Sequence, residues 1–392
     1  MVSIKILFYF LLVFLSYSSP QVASFSKIIV AVGDQGHVPL EIGKLNKLEY
    51  LSIAENNLFG PIPQDIGMLT NLKLIDLSTN SLSGSIPETI GNLSNLNELY
   101  LSNNSLLSGP IPSSLWNVSN LTLLYLDNNT LSGSISSTIG NLANLVELAL
   151  DVNHFSGSIP STIGNLTKLI VLYLGFNNLF GTIPPSVGNL INLDVLSLQV
   201  NHLSGTIPAT VGNLKSLTTL ELSTNKLNGN VPQSLNDIPY WYSLLLADND
   251  FTGHLPPEIC SSGSLAFFTA HLNHFTGPVP RSLKNCSSIA RLRLEGNQLE
   301  GDIAHDFGVY PNLEYIDLSD NKFYGQISPN WGKCPSIDTL KISNNNITTS
   351  GSASLLNYRG RHFWNSARSR LSCDPTGLAA PAAALSTSIL AK

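Results

Sequence analysis

Arg291 and Arg293 stand two residues apart in the segment IARLRLEGN. On a β-strand, residues i and i+2 project from one face, so two guanidiniums could grip a single carboxylate bidentately. Asp317, 24 residues beyond Arg293, is the alternative partner for that arginine. A second group mixes rings with carboxylates: Glu98, Tyr100, Tyr125, Asp127, Glu147, Asp151, Tyr173 and Phe176. Aromatic rings flanked by acids form a platform for a peptide carrying basic groups, although tyrosine also suits any exposed strand. Asp306-Phe307-Gly308 has the form of a kinase tripeptide, but no glycine-rich loop, V-A-I-K or H-R-D segment accompanies it. Phosphoryl transfer requires those parts, so the tripeptide reads as a core residue followed by a turn glycine. His154, His202, His271 and His274 have no neighbouring nucleophile and acid, and are expected to face solvent. The four cysteines form no C-x-x-C pair or Cys/His cluster, so no metal, no cofactor and no catalytic constellation is expected.

These residues are placed by one period. The frame L-x-x-L-x-L-x-x-N-x-L-x-G-x-I-P-x-x-I-G-N recurs, with its asparagine at 56, 80, 104, 129, 153, 177, 201, 225, 249, 273, 297, 321 and 345. The step is 24 residues except for one insertion near Leu106-Leu107. The x-L-x-L-x part alternates with period two, so Leu172 and Leu174 point inward while Val171 and Tyr173 point out. Glycine permits the tight bend and proline fixes φ in the return segment. A single coil cannot bury its leucines. Stacked coils can, which makes a solenoid with one continuous core and a concave face of parallel strands about 60 Å long. Residues 25-44 read as a degenerate first turn, 45-350 as thirteen repeats, and 351-392 as a disordered, non-repeating tail.

Composition agrees with an exported binding protein. Charged residues make up 12% of the chain, and the net charge is -6, which argues against nucleic acid as a partner. Lys5 precedes an apolar run from Ile6 to Leu15, and Val22 and Ser24 suit signal cleavage, so residues 1-24 read as a secretory signal peptide. The run is too short to span a bilayer, and so is the Ala-rich end of the chain. Eight N-x-S/T sequons, at Asn92, Asn103, Asn117, Asn120, Asn128, Asn165, Asn285 and Asn346, would then be glycan acceptors. Glycans at Asn103 and Asn128 would shade the acidic-aromatic patch. Cys260 and Cys286 lie one coil and two positions apart, within the Cα separation of roughly 4.4–6.8 Å that a disulfide needs.

L-x-G-x-I-P at a 24-residue period resembles the plant-specific class of extracellular leucine-rich repeats. Residues 281-334 resemble the ectodomains of plant leucine-rich-repeat receptor-like kinases, particularly the group of male-discoverer-interacting receptor kinases. The resemblance implies an α/β-type repeat solenoid with a parallel-β concave face and a 3₁₀ and loop convex side. It further implies an extracellular site for a secreted peptide or protein ligand, and pairing with another leucine-rich-repeat receptor. Related receptor kinases hold a peptide's C-terminal carboxylate with an Arg-x-Arg pair, which Arg291 and Arg293 match. Two departures stand out: no cysteine precedes Cys260, where such ectodomains carry a cysteine-paired cap, and no membrane helix or kinase follows the repeats. The chain therefore reads as the product of a truncated receptor gene. Plant inhibitors of secreted cell-wall hydrolases share the repeat class and form the alternative, but they too carry cysteine-paired caps.

Overall fold

The computed structural model of the protein describes residues 27–29, 35–348 and 362–364. The signal peptide reading lies outside the described residues. So does the tail, except for His362–Trp364, which depart from the expected disorder by pairing in parallel with Thr339–Lys341.

Each coil supplies two strands. The three-residue strands, among them Glu98–Tyr100, Leu123–Tyr125, Glu147–Ala149 and Val171–Tyr173, build a 15-stranded parallel sheet. Its register never slips: Leu124 lies beside Leu148, and Leu148 beside Leu172. Slippage by one residue would turn every leucine to solvent, so the period-two pattern fixes the pairing. Runs such as Thr130–Ser134 and Asn178–Gly181 make a second, 14-stranded parallel sheet. This sheet was not expected, because L-x-G offers no alternating run and its glycine turns back at once (Gly133, φ 84°). Between the sheets lies one apolar core that runs without a break from Val38 to Ile342. The described residues contain no α-helix; the return of most coils is a 3₁₀ turn entered through proline, as at Pro184 (φ -68°) before Pro185–Asn189.

An asparagine ladder closes each corner. Asn177 Nδ2 donates to the carbonyls of Leu150, Leu174 and Gly175, and its Oδ1 accepts from Phe155 N. These bonds replace water for backbone groups that the turn would otherwise leave buried and unpaired. The inserted residue breaks the pattern locally. Asn129 Oδ1 takes Asn104 N instead of the amide two residues on, Leu107 N turns to Asn104 O, and Leu106 is pushed out to 58% exposure.

The glycine of I-G is dictated by closeness of the coils. A Cβ on Gly67 would lie 2.4 Å from the Thr89 carbonyl oxygen. Cys260 occupies this slot in its coil, where residues 257–260 form a plain turn in place of the 3₁₀ helix. A disulfide to Cys286 of the next coil, with Cα atoms 5.8 Å apart, ties that irregular turn down. Cys334 lies outside the bridge; it is buried, and its Sγ accepts from Tyr310 N at 3.3 Å. Phe307 sits in the core against Phe323 and Trp331, so the kinase-like tripeptide is structural.

Candidate functional site

The 15-stranded sheet turns three columns of side chains outward. The first carries Glu98, Leu123, Glu147 and Val171, and the second Tyr100, Tyr125, Ala149 and Tyr173. The third, just beyond the strand ends, holds Asp127 and Asp151. Phe176 stands on the following turn, in the left-handed region with φ 51°. The structure thus brings the whole acidic-aromatic set into four adjacent coils.

Its members are already coupled. The Tyr100 and Tyr125 rings stack with centroids 5.3 Å apart. Tyr100 OH donates to Glu98 Oε2 at 3.0 Å, and Tyr125 OH donates to Glu147. Ser102 Oγ and Asn128 Nδ2 both donate to Asp127. Burial, with Asp127 and Glu221 adding like charge, raises the Asp151 carboxyl to about 7. Burial likewise lifts the carboxyls of Asp127 and Glu221 and the Tyr173 phenol, the last to about 12. Among the described residues no lysine or arginine forms an ion pair with Asp127, Glu147, Asp151 or Glu221. The patch is an electronegative surface. Glu221 and Gln199, bonded to each other at 2.9 Å, escaped the sequence reading, although Glu221 continues the tyrosine column.

The arginine pair is arranged differently from expectation. Both residues lie on the strand Arg291–Arg293, but Arg293 Nε donates to Glu295 Oε1 at 2.9 Å and its Nη2 reaches the same oxygen. Asp317 lies in Arg293's column as expected, yet its ion pair is with Lys341, at 3.5 Å. The reason is reach: Glu295, two residues on in the same coil, offers a carboxylate to the side of Arg293, whereas Lys341 arrives from the next coil to meet Asp317. Arg291 is exposed, with its guanidinium 4.8 Å from the centre of the Tyr315 ring; Lys341 Nζ lies 5.4 Å from the same ring. Tyr315, Glu295 and Lys341 complete this patch and were missed, since each is unremarkable outside its column.

His271 corrects another expectation. It is largely buried beneath the arginines; burial, then Arg293 and Arg291, hold its imidazole down to about 3, and its Nδ1 has no hydrogen-bond partner. The cause is its slot, the inner third column, where Glu295 follows it on the next coil. His154, His202 and His274 do face solvent.

Comparison with known proteins places these coils. A leucine-rich repeat region matches residues 31–155, and leucine-rich repeats match 168–190 and 312–334. No curated protein matches the chain. Among solved structures, the Arabidopsis receptor kinase HAESA, in complex with the peptide hormone IDA and the co-receptor SERK1, is 37% identical, with 80% of this chain and 52% of that one covered and a TM-score of 0.76. The ectodomain of the Arabidopsis thaliana receptor kinase GASSHO1/SCHENGEN3, in complex with CASPARIAN STRIP INTEGRITY FACTOR 2, is 31% identical (83% and 45% covered, TM-score 0.62). A Leptospira interrogans leucine-rich-repeat protein is 28% identical (84% and 81% covered, TM-score 0.66). The chain spans about half the length of the two plant receptor structures. No helix among the described residues is long and apolar enough to cross a membrane.

Proposed function

We propose that this protein is an extracellular leucine-rich-repeat solenoid of receptor-kinase-ectodomain type that binds an extended peptide along its concave sheet. One observation carries the reading: the face bears an electronegative aromatic patch near its first third and a cationic patch at Arg291, Tyr315 and Lys341 near its far end, in strict register. The resemblance of residues 281-334 to the male-discoverer-interacting group belongs to the same proposal, as does pairing with a second leucine-rich-repeat receptor. Eight strand steps separate the patches, roughly 38 Å, which an extended chain covers with eleven or twelve residues. Basic or apolar side chains would meet the first patch and a terminal carboxylate the second.

Arg291 is the freer ligand for that carboxylate, because Arg293 is held by Glu295. The test uses a synthetic dodecapeptide with a basic, apolar N-terminal half and a free C-terminus, beside its C-amidated twin. Arg291→Ala should weaken the free acid by about 1–3 kcal/mol, the range of a hydrogen bond to a charged group, while leaving the fold's stability unchanged. The amidated twin should bind wild type and variant alike. Equal binding of both peptides to wild type, Arg291→Ala and Tyr125→Ala/Asp127→Ala would discard the concave-face reading.

Export and glycosylation follow from the same proposal. Seven of the eight sequon asparagines are exposed; Asn128 is half-buried and its Nδ2 donates to Asp127. Asn120 Nδ2 donates to the Ser94 carbonyl at 2.8 Å, in a ladder of exposed asparagines. Glycan attachment consumes that nitrogen, so Asn117 should be occupied in preference to Asn120, and Asn128 left bare. Glycopeptide mapping of protein from plant cells decides this, and unchanged mobility after glycosidase treatment would refute export.

A further inference from the structure

The turn after each concave strand forces one residue into the left-handed region, with φ between 51° and 57° at twelve non-glycine positions. Asparagine, aspartate and glycine tolerate that conformation; β-branched and bulky residues strain in it. Asn103, Asn128, Asp248, Gly296, Asp320 and Asn344 comply, whereas Glu55, Thr79, Thr224 and Leu272 do not. Three consecutive coils place an apolar residue there: Val152, Phe176 and Val200 stand at φ 52°, 51° and 53°. They cannot relax, because each backbone is pinned on both sides. Val152 N donates to Gly175 O, Phe176 N to Gln199 O and Val200 N to Ser223 O, while their own carbonyls accept from Asn129, Asn153 and Asn177. Nor does burial explain them. Val152 and Phe176 are 39% and 38% exposed, so these side chains gain little of the transfer energy that usually favours an apolar residue. Strain held at an apolar position on three neighbouring coils, exposed at Val152 and Phe176 and half-buried at Val200, points to a partner that covers it.

What lies beside the ridge identifies the partner's chemistry. In the second column the small, buried Ala149 separates Tyr125 from Tyr173, leaving a depression two strands wide, about 10 Å. Glu147 and Asp151 flank that depression within Ala149's own coil. Aromatic walls with carboxylates and no cation of the protein's own suit a guanidinium or ammonium. We propose that Val152, Phe176 and Val200, together with the Tyr125–Ala149–Tyr173 depression, form one subsite for a basic residue adjoining an apolar one in an extended peptide. The cation enters between the tyrosines and the apolar side chain lies across the ridge. This rests on the concave-face reading and adds the composition of the ligand's first half.

The test selects a random dodecapeptide library, displayed with free C-termini, on the full wild-type chain. Enriched sequences should share Lys or Arg within two residues of Leu, Ile, Val or Phe. A synthetic peptide of that consensus should bind Val152→Asn/Phe176→Asn/Val200→Asn at least tenfold more weakly, although this variant melts at a higher temperature than wild type because asparagine suits the conformation. Should the triple variant melt lower, Phe176→Asn alone carries the comparison. Binding within twofold of wild type, or a consensus without the basic-apolar pair, overturns the ridge subsite. If Arg291→Ala or Tyr125→Ala/Asp127→Ala still weakens the peptide in that case, the concave-face reading stands without the ridge. If neither does, both fall.

Discussion

Replacing Asn177 with alanine is expected to destabilise the solenoid by about 2–4 kcal/mol, among the larger effects of a single substitution in this chain. Asn177 is buried and its amide serves four backbone groups: carbonyls of Leu150, Leu174 and Gly175, and the Phe155 amide. Alanine leaves the Phe155 amide facing a dry core, at roughly 1–3 kcal/mol, and takes one donor from each of the three carbonyls, which keep Asn153 Nδ2, Asn201 Nδ2 and Val152 N respectively. Because coils touch only their neighbours, the damage should also split the cooperative unit, so denaturant unfolding broadens or resolves into two steps. Asn177→Asp sharpens the test. It keeps the acceptor for Phe155 but sets a buried carboxylate against three carbonyl oxygens, so near neutral pH it should destabilise at least as much as alanine. A loss below 1 kcal/mol for both would show that the ladder is incidental to stability.

Asp151→Asn is expected to act in the opposite direction, raising stability by about 2–4 kcal/mol at pH 8 and leaving it unchanged at pH 4. The folded carboxyl titrates near 7, above its unfolded value of 3.8, because burial disfavours the charge and Asp127 and Glu221 repel it. The folded state therefore holds a proton that the unfolded state releases. The penalty is absent below pH 4, grows between 4 and 7, and is full above 7. His271 has the reverse slope: its folded value of about 3 lies below the unfolded 6.5, so its contribution is lost as pH falls from 6.5 toward 3. In wild type the His271 slope opposes that of Asp151 between pH 4 and 6.5, while the raised carboxyls of Asp127, Glu221 and Glu295 add to the Asp151 slope. Removing Asp151 should make stability depend on pH less steeply downward over that window. Melting temperatures measured from pH 4 to 8 on both proteins check this, and a constant offset across the range would contradict it. The same substitution should weaken a cationic ligand, so the carboxylate is retained at the expense of stability.

Much of this was legible in the sequence because the chain repeats. Period-two leucines fix the strand faces, and a 24-residue step puts Tyr100, Tyr125 and Tyr173 in one column whatever the details of the coil. Corner asparagines and the Cys260–Cys286 spacing follow from the same frame, since each slot's neighbours are known once its period is known. Tertiary structure alone decided how charges pair across and within columns. Arg293 turns to Glu295 within its own coil and leaves Asp317 to Lys341, the next residue of the column, because side-chain reach selects between partners that the column alone does not rank. It alone half-buried His271, in a slot that Ala247 fills on one neighbouring coil and Glu295 on the other, with the charges of Arg293 and Arg291 disfavouring its protonation. It alone showed the second sheet, whose L-x-G segments hold a single apolar slot and so carry no alternation. And it alone revealed that Val152, Phe176 and Val200 stand in a left-handed turn, since there the hydrogen bonds between coils impose a dihedral that valine and phenylalanine do not signal.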